Sequence, residues 1–177
     1  MRTAIELGGH ARVRVSTALG QFVVEASAKG LRAVTPVRAG PADVVDGPDD
    51  APALTHARGA ADALRRYAGG EPARYQGPLD IEASALHLAV WERLRAIPLG
   101  ATVSYGTIAA DLGMPGEARA IGAAVGANPV CILVPCHRVV GSDGSLRGFA
   151  WGLDLKRRLL AHEGSAALSL FADATER

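Results

Sequence analysis

Residues 36–52 constrain this chain more than any other stretch. They hold Pro36, Gly40, Pro41, Gly47, Pro48 and Pro52 among Asp43, Asp46, Asp49 and Asp50. Proline removes a backbone donor and aspartate favours turns, so neither a helix nor an interior strand continues through the segment. It reads as a solvated linker. The sequence before it and the sequence after it have different periods. Residues 12–15, 22–24 and 31–34 are short β-type runs divided by turns at Leu19-Gly20 and Lys29-Gly30, the pattern of a small antiparallel sheet. Beyond the linker, Leu54, Ala57, Ala61, Leu64 and Ala68 recur at helical spacing until Gly69-Gly70.

A second loop, residues 71–82, places a domain boundary there, with a second domain over 83–164 and a tail over 165–177. The second domain is dense in helix signals. Ser84 caps a helix carrying Leu86, Val90 and Leu94, which Pro98 stops. Ser104 caps a short helix from Tyr105 to Leu112, ended by Gly113. Pro115 suits the first turn of a following helix over 117–125, with Glu117 at its positive end. This pair has the form of a helix-turn-helix, which binds DNA in some proteins and only packs in others. Residues 130–134 form a continuous apolar run, read as a buried extended segment. Val139-Val140 and Leu146 flank a hairpin turn over 142–145. A last helix runs from Leu153 to Glu163, with Leu155, Leu159 and Leu160 on its apolar side and Lys156, Arg157 and Arg158 on a basic side.

Composition excludes several classes. The balance of 19 Lys+Arg against 18 Asp+Glu argues against coating nucleic acid by bulk charge, so any nucleic-acid face is local. No apolar run approaches the roughly 20 residues that span a bilayer. Residues 1–6 carry no export pattern, so a cytoplasmic protein with reduced thiols is expected. The two cysteines, Cys131 and Cys136, have no zinc-type spacing with His137, and no metal or other cofactor is expected.

Chemistry concentrates at Pro135-Cys136-His137-Arg138. The motif follows the buried run, so Cys136 sits where rigid structure meets a loop. Thiolate is the nucleophile, and nearby His and Arg favour the charged form. A buried cysteine beside two surface polar residues is the alternative at this level. Cys131, inside the apolar run, reads as inert core. His10, His56, His87 and His162 lack paired ligands at useful spacing.

Residues 84–164 resemble the C-terminal domain of the O6-alkylguanine-DNA alkyltransferases, also called methylated-DNA–protein-cysteine methyltransferases. The resemblance rests on Ile97-Pro98-Leu99-Gly100, Val103-Ser104-Tyr105, Ala118-Arg119-Ala120-Ile121-Gly122, Asn128-Pro129, residues 132–140 with Pro-Cys-His-Arg, and Leu159-Leu160-Ala161-His162-Glu163. The first half resembles the family's variable N-terminal domain loosely, through Leu19-Gly20-Gln21-Phe22 and Lys29-Gly30-Leu31.

The resemblance implies an α+β protein, with a small sheet-plus-helix domain supporting a helical, winged-helix-like alkyltransferase domain. It implies direct repair of double-stranded DNA by a monomer. Cys136 attacks the alkyl carbon on O6 of guanine and keeps the group as a thioether, so each molecule acts once. O4-alkylthymine is a further candidate substrate. His137 matches the residue that takes the thiol proton through a water, and Glu163 the carboxylate that orients it. Tyr105 matches the hydroxyl that protonates N3 of the departing guanine, and Asn128 the residue that braces the turn before the active-site segment. Arg119 matches the side chain that fills the stack when the base is flipped out. It lies on a helix whose Ala118, Ala120 and Ala123 permit close approach to the minor groove. Cys136, Val139 and Ala150 match main-chain partners of the flipped guanine, with Phe149 and Trp151 in the pocket wall.

The chain departs from the family pattern at several positions. Leu86-His87 stands where Phe-Gln is common, Phe149 where tyrosine is frequent, Ala150 where some members have serine, and Trp151 where some have glycine. The indole at 151 predicts a pocket too narrow for a benzyl group but open to methyl. Two rivals come from the residues alone. A helix-turn-helix regulator or damage sensor would need DNA but not Cys136. A cysteine hydrolase would need an oxyanion site, for which no dedicated motif is present.

Overall fold

The computed structural model describes residues 9–165 apart from 39, 42–44 and 48–50. Residues 1–6, expected to carry no export pattern, and most of the expected tail lie outside these residues. The chain divides into two compact units, Met1–Glu82 and Ala83–Arg177. No helix among the described residues is long and apolar enough to cross a membrane.

In the first unit, three eight-residue strands pair antiparallel: β1 (His10–Thr17), β2 (Gly20–Ser27) and β3 (Gly30–Val37). Alternation decides their faces. Ala11, Val13 and Val15 are buried on β1, whereas Arg12 is exposed. Helix α1 (Pro52–Ala68) packs on all three strands through Leu54, Ala57, Ala61, Leu64 and Tyr67. Proline at its start already has helical φ, and small alanines allow close approach. The linker expectation needs a correction. Val45-Asp46 forms β4 inside it and pairs antiparallel with Arg12 and Val13, giving the order β3-β2-β1-β4. Prolines flank these two residues without entering them, so they remain free to add to an open edge. Gly30 is required by the return of the chain at 78–80, since a Cβ there would lie 2.4 Å from the Pro78 oxygen.

In the second unit, α2 spans Ala85–Arg95 and α3 spans Tyr105–Asp111. Both are capped as the sequence predicts: Ser84 accepts from the His87 amide and Ser104 from the Thr107 amide. Helix α4 covers Ala118–Gly126, one residue later than expected. Pro115 lies in the connecting turn, which Gly113 (φ 70°) and Gly116 (φ 92°) reverse, so no helical turn forms around it. Helix α4 packs on α2 and α3, burying Ile121, Ala124 and Val125, and the Trp91 indole donates to the Ala124 carbonyl at 2.8 Å.

Two further expectations change. Residues 130–134 are buried but not extended. Val134 N donates to Val130 O at 3.0 Å and Leu133 N to Cys131 O at 2.9 Å, closing a tight turn. Val139-Val140 forms β6, which pairs in parallel with β5 (Val103-Ser104) and not with a strand at Leu146. The 142–145 turn does close, through Gly141 N to Ser145 O at 2.8 Å, but opens no hairpin ladder. Helix α5 (Leu153–His162) follows, and Ser165, expected in the tail, is buried with its amide bonded to Leu160 O.

Candidate functional site

The thiol lies in a segment whose backbone is forced into shape before it arrives. Ile132 has φ 71°, a region that a β-branched side chain avoids. What holds it there is Asn128, buried just beyond α4. Its Oδ1 accepts from Val130 N at 2.9 Å, and its Nδ2 donates to Val134 O at 2.8 Å. The same Nδ2 lies 3.1 Å from Cys136 Sγ, as donor to the sulfur. One amide therefore braces the turn and offers a hydrogen bond that favours a thiolate. Cys136, His137 and Arg138 then form a single 3-10 turn, all buried, between Pro135 and β6.

His137 and Arg138 converge on one carboxylate. His137 Nε2 is 2.7 Å from Glu163 Oε1. Arg138 grips the same group with two nitrogens, Nε to Oε2 and Nη2 to Oε1, each at 2.9 Å, and its Nη1 donates to Ile97 O at 2.6 Å. Gly100 N adds a bond to Oε2 at 3.1 Å. The Glu163 side chain has no solvent exposure. A carboxylate only accepts, so the proton on His137 sits on Nε2 and Nδ1 is the basic nitrogen. Burial holds His137 below the usual imidazole range, against the opposing pull of Glu163. The ring is therefore neutral at pH 7 and able to accept a proton.

His137 and Arg138, expected to favour the charged form of Cys136, do not offset its burial. Cys136 is 2% exposed, and burial pushes its thiol up to about 11, with Asn128 and then Lys156 opposing the rise. Arg138 is committed to Glu163 and Ile97, and His137 is neutral. The resting group is a thiol. Burial also pushes the Cys131 thiol well up, as inert core requires.

Lys156 is a second correction. It belongs to no exposed basic side of α5 but is fully buried. Its ammonium donates to Val139 O at 2.6 Å and Arg147 O at 2.8 Å. Burial lowers its pKa to about 8. The sequence does contain a signal for this: Lys156 is three residues from Leu153 and from Leu159, within the apolar stripe. Arg138 had no such signal, because a surface arginine and a buried one read alike beside a loop.

A pocket of about 660 Å³ opens beside α4. Tyr105, Ala118, Arg119, Gly122, Phe149 and Ala150 line it. Of the residues assigned to the DNA face, Tyr105, Ala118 and Arg119 thus meet at one opening, whereas Ala123 is exposed and Ala120 half-buried on α4, and neither lines it. Of the residues assigned to the substrate pocket, Phe149 and Ala150 are in its wall, whereas Cys136 and Val139 are buried. Trp151 is not in the lining; it packs edge-to-face on Phe149, with ring centres 5.4 Å apart. Tyr105 Oη donates to Arg147 O at 3.0 Å. Burial, and then the nearby Cys136, raise the Tyr105 pKa, so its proton is retained. No cluster of three metal-type side chains occurs among the described residues.

Residues 85–165 match the family described as "6-O-methylguanine DNA methyltransferase, DNA binding domain". A methylated-DNA–protein-cysteine methyltransferase of Mycolicibacterium paratuberculosis is 47% identical over 116 residues, covering 64% of this chain and 70% of that protein. One of Salmonella typhimurium is 60% identical over 75 residues, 42% of this chain and 44% of that protein. In three dimensions, the Mycobacterium tuberculosis OGT crystallised in complex with DNA aligns over 89% of this chain and 97% of its own, with a TM-score of 0.72 and 34% identity.

Proposed function

This chain belongs to the methylated-DNA–protein-cysteine methyltransferases, and from that membership we propose that it repairs O6-alkylguanine in duplex DNA by moving the alkyl group to Cys136. The observation that carries the assignment is the pair of contacts at residues 136 and 137. The sulfur faces an amide donor at 3.1 Å, and the next side chain is an imidazole oriented by a buried carboxylate at 2.7 Å.

The chemistry runs from a neutral resting state. With a thiol pKa of about 11, the thiolate fraction at pH 7 is on the order of one in ten thousand. Deprotonation therefore belongs to the reaction itself. His137 Nδ1 takes the thiol proton, through a water, as Glu163 stabilises the imidazolium. The sulfur lone pair forms the S–C bond while the C–O6 bond breaks, and the electrons leave on the guanine. Tyr105 supplies a proton to N3, exchanging its bond to Arg147 O for the base. Asn128 Nδ2 supports the charge that develops on sulfur, without needing to move. A thioether has no leaving tendency, so the protein is spent.

The target base is stacked in a duplex and must be flipped to reach a buried sulfur. Arg119, exposed at the pocket, fills the vacated space. Such a protein acts as a monomer and, with two reduced thiols, in the cytoplasm. The test is peptide mass spectrometry after incubation with duplex DNA carrying O6-methylguanine. One methyl on the Cys136 peptide is expected. Methyl on Cys131, or on neither, would reject the assignment; turnover of esters or peptides without methylation would favour a hydrolase.

A further inference from the structure

Arg147 lines the pocket beside α4 together with Tyr105, Arg119 and Phe149, and its side chain is 66% exposed. An arginine that exposed ordinarily samples many rotamers. This one is fixed at both ends. Its carbonyl oxygen accepts from Tyr105 Oη at 3.0 Å and from Lys156 Nζ at 2.8 Å. Its guanidinium donates through Nε to Ser145 Oγ at 2.8 Å and through Nη2 to Asp143 Oδ2 at 3.1 Å.

The anchor is itself built. Asp143 Oδ1 accepts from Ser145 N at 3.0 Å and from Ser145 Oγ at 2.5 Å. Gly141 makes room for the cluster, since a Cβ there would lie 2.5 Å from Asp143 Oδ1 and 2.7 Å from Ser145 Oγ. An exposed ion pair adds little to stability, typically about 0–1 kcal/mol. What this cluster fixes is the direction of a charge. A guanidinium carries donors on three nitrogens, and the cluster uses two of them, Nε and Nη2.

A cation held rigidly at a pocket rim suits a ligand whose anionic part stops at the mouth. A flipped nucleotide is such a ligand. Its base enters, but its phosphodiester links stay in the strand and lie across the opening. We propose that Arg147 binds a backbone phosphate of the extruded nucleotide, from a chain segment separate from the one that carries Arg119. The inference rests on the alkyl-transfer reading and adds a phosphate contact to it.

The test compares wild type, Arg147→Gln and Arg147→Lys. Affinity for duplex DNA carrying O6-methylguanine is measured against salt in a Cys136→Ser background, which prevents consumption of the lesion. Transfer is measured with Cys136 intact, on the duplex and on the free alkylated base. Losing one phosphate contact should make the slope of log K against log salt shallower by about 0.9. Arg147→Gln should slow transfer on the duplex more than on the free base, and Arg147→Lys should restore the salt slope. Tryptophan fluorescence and thermal unfolding should match across the three proteins. An unchanged slope, or an equal deficit on both substrates, overturns the proposal while leaving alkyl transfer intact. A wild type that transfers nothing to Cys136 overturns both.

Discussion

Truncating Asn128 to alanine should cost the second unit about 3–5 kcal/mol and disarm the thiol. The magnitude follows from what each lost atom leaves behind. Val130 N–H loses the Oδ1 acceptor at 2.9 Å, inside a fully buried segment. An orphaned buried donor costs about 1–3 kcal/mol. Val134 O loses its 2.8 Å donor but keeps the Cys136 amide at 2.8 Å, so only an ordinary bond is lost there, about 1 kcal/mol. The bond to Cys136 Sγ and the small cavity add about as much again. Against a typical stability of about 5–15 kcal/mol this is a large share. Both tryptophans, Trp91 and Trp151, lie in the second unit, so urea unfolding followed by their fluorescence reports that unit. The midpoint should fall with little change in slope. The thiol pKa should also rise above about 11, since Asn128 is the largest opposing influence on it. A loss below about 1 kcal/mol, or a thiol no harder to ionise, would refute the view that one amide both braces the turn and supports the sulfur.

Other perturbations should separate the remaining parts of the site. Because burial lowers the His137 pKa, transfer should persist to more acid pH than an ordinary imidazole, near 6.5, would allow; a loss centred at or above that value would contradict a buried neutral base. Stability changes with the same sign: as pH falls below about 6.5 the unfolded chain takes up a proton that the folded chain refuses, so unfolding becomes easier, which denaturant midpoints between pH 7 and 5 would record. Arg138→Met should destabilise by about 3–5 kcal/mol, because it strips two bonds from a buried carboxylate; a near-neutral midpoint shift would show that His137 and Gly100 suffice for Glu163. Iodoacetamide should label Cys136 slowly at neutral pH, with a rate rising to about pH 11, and rapid labelling at pH 7 would contradict a resting thiol.

Local chemistry explains which features could be read from the chain. The caps at Ser84 and Ser104, the end of α1 at Gly69 and the alternation on β1 depend on neighbouring residues, and each was readable. The turn at 130–134 was not, because an apolar run looks the same whether extended or coiled around a buried asparagine. The parallel pairing of Val139 with Val103 joins residues far apart in sequence, which no nearby residue signals. The same division holds at the site. Cys136 and His137 stood out in the Pro-Cys-His-Arg motif, Asn128 and Glu163 only through the family resemblance, and the structure places them in bonded pairs, Cys136 with Asn128 and His137 with Glu163. The second grip of Arg138 on Glu163, the burial of Lys156 and the anchoring of Arg147 depend on side-chain direction and tertiary closure. The resting charge of Cys136 was not legible for the same reason: adjacency to His and Arg in sequence says nothing about where their charges are spent.

Single-turnover transfer to one sulfur is the centre of the account, and titration tests it most directly. A fixed amount of protein is mixed with a large excess of duplex carrying O6-methylguanine, and repaired guanine is counted until the reaction stops. Repair should plateau at one lesion per protein molecule, with Cys136→Ser giving none and Cys131→Ser the full yield. Continued repair beyond one equivalent, or full repair without Cys136, would contradict it.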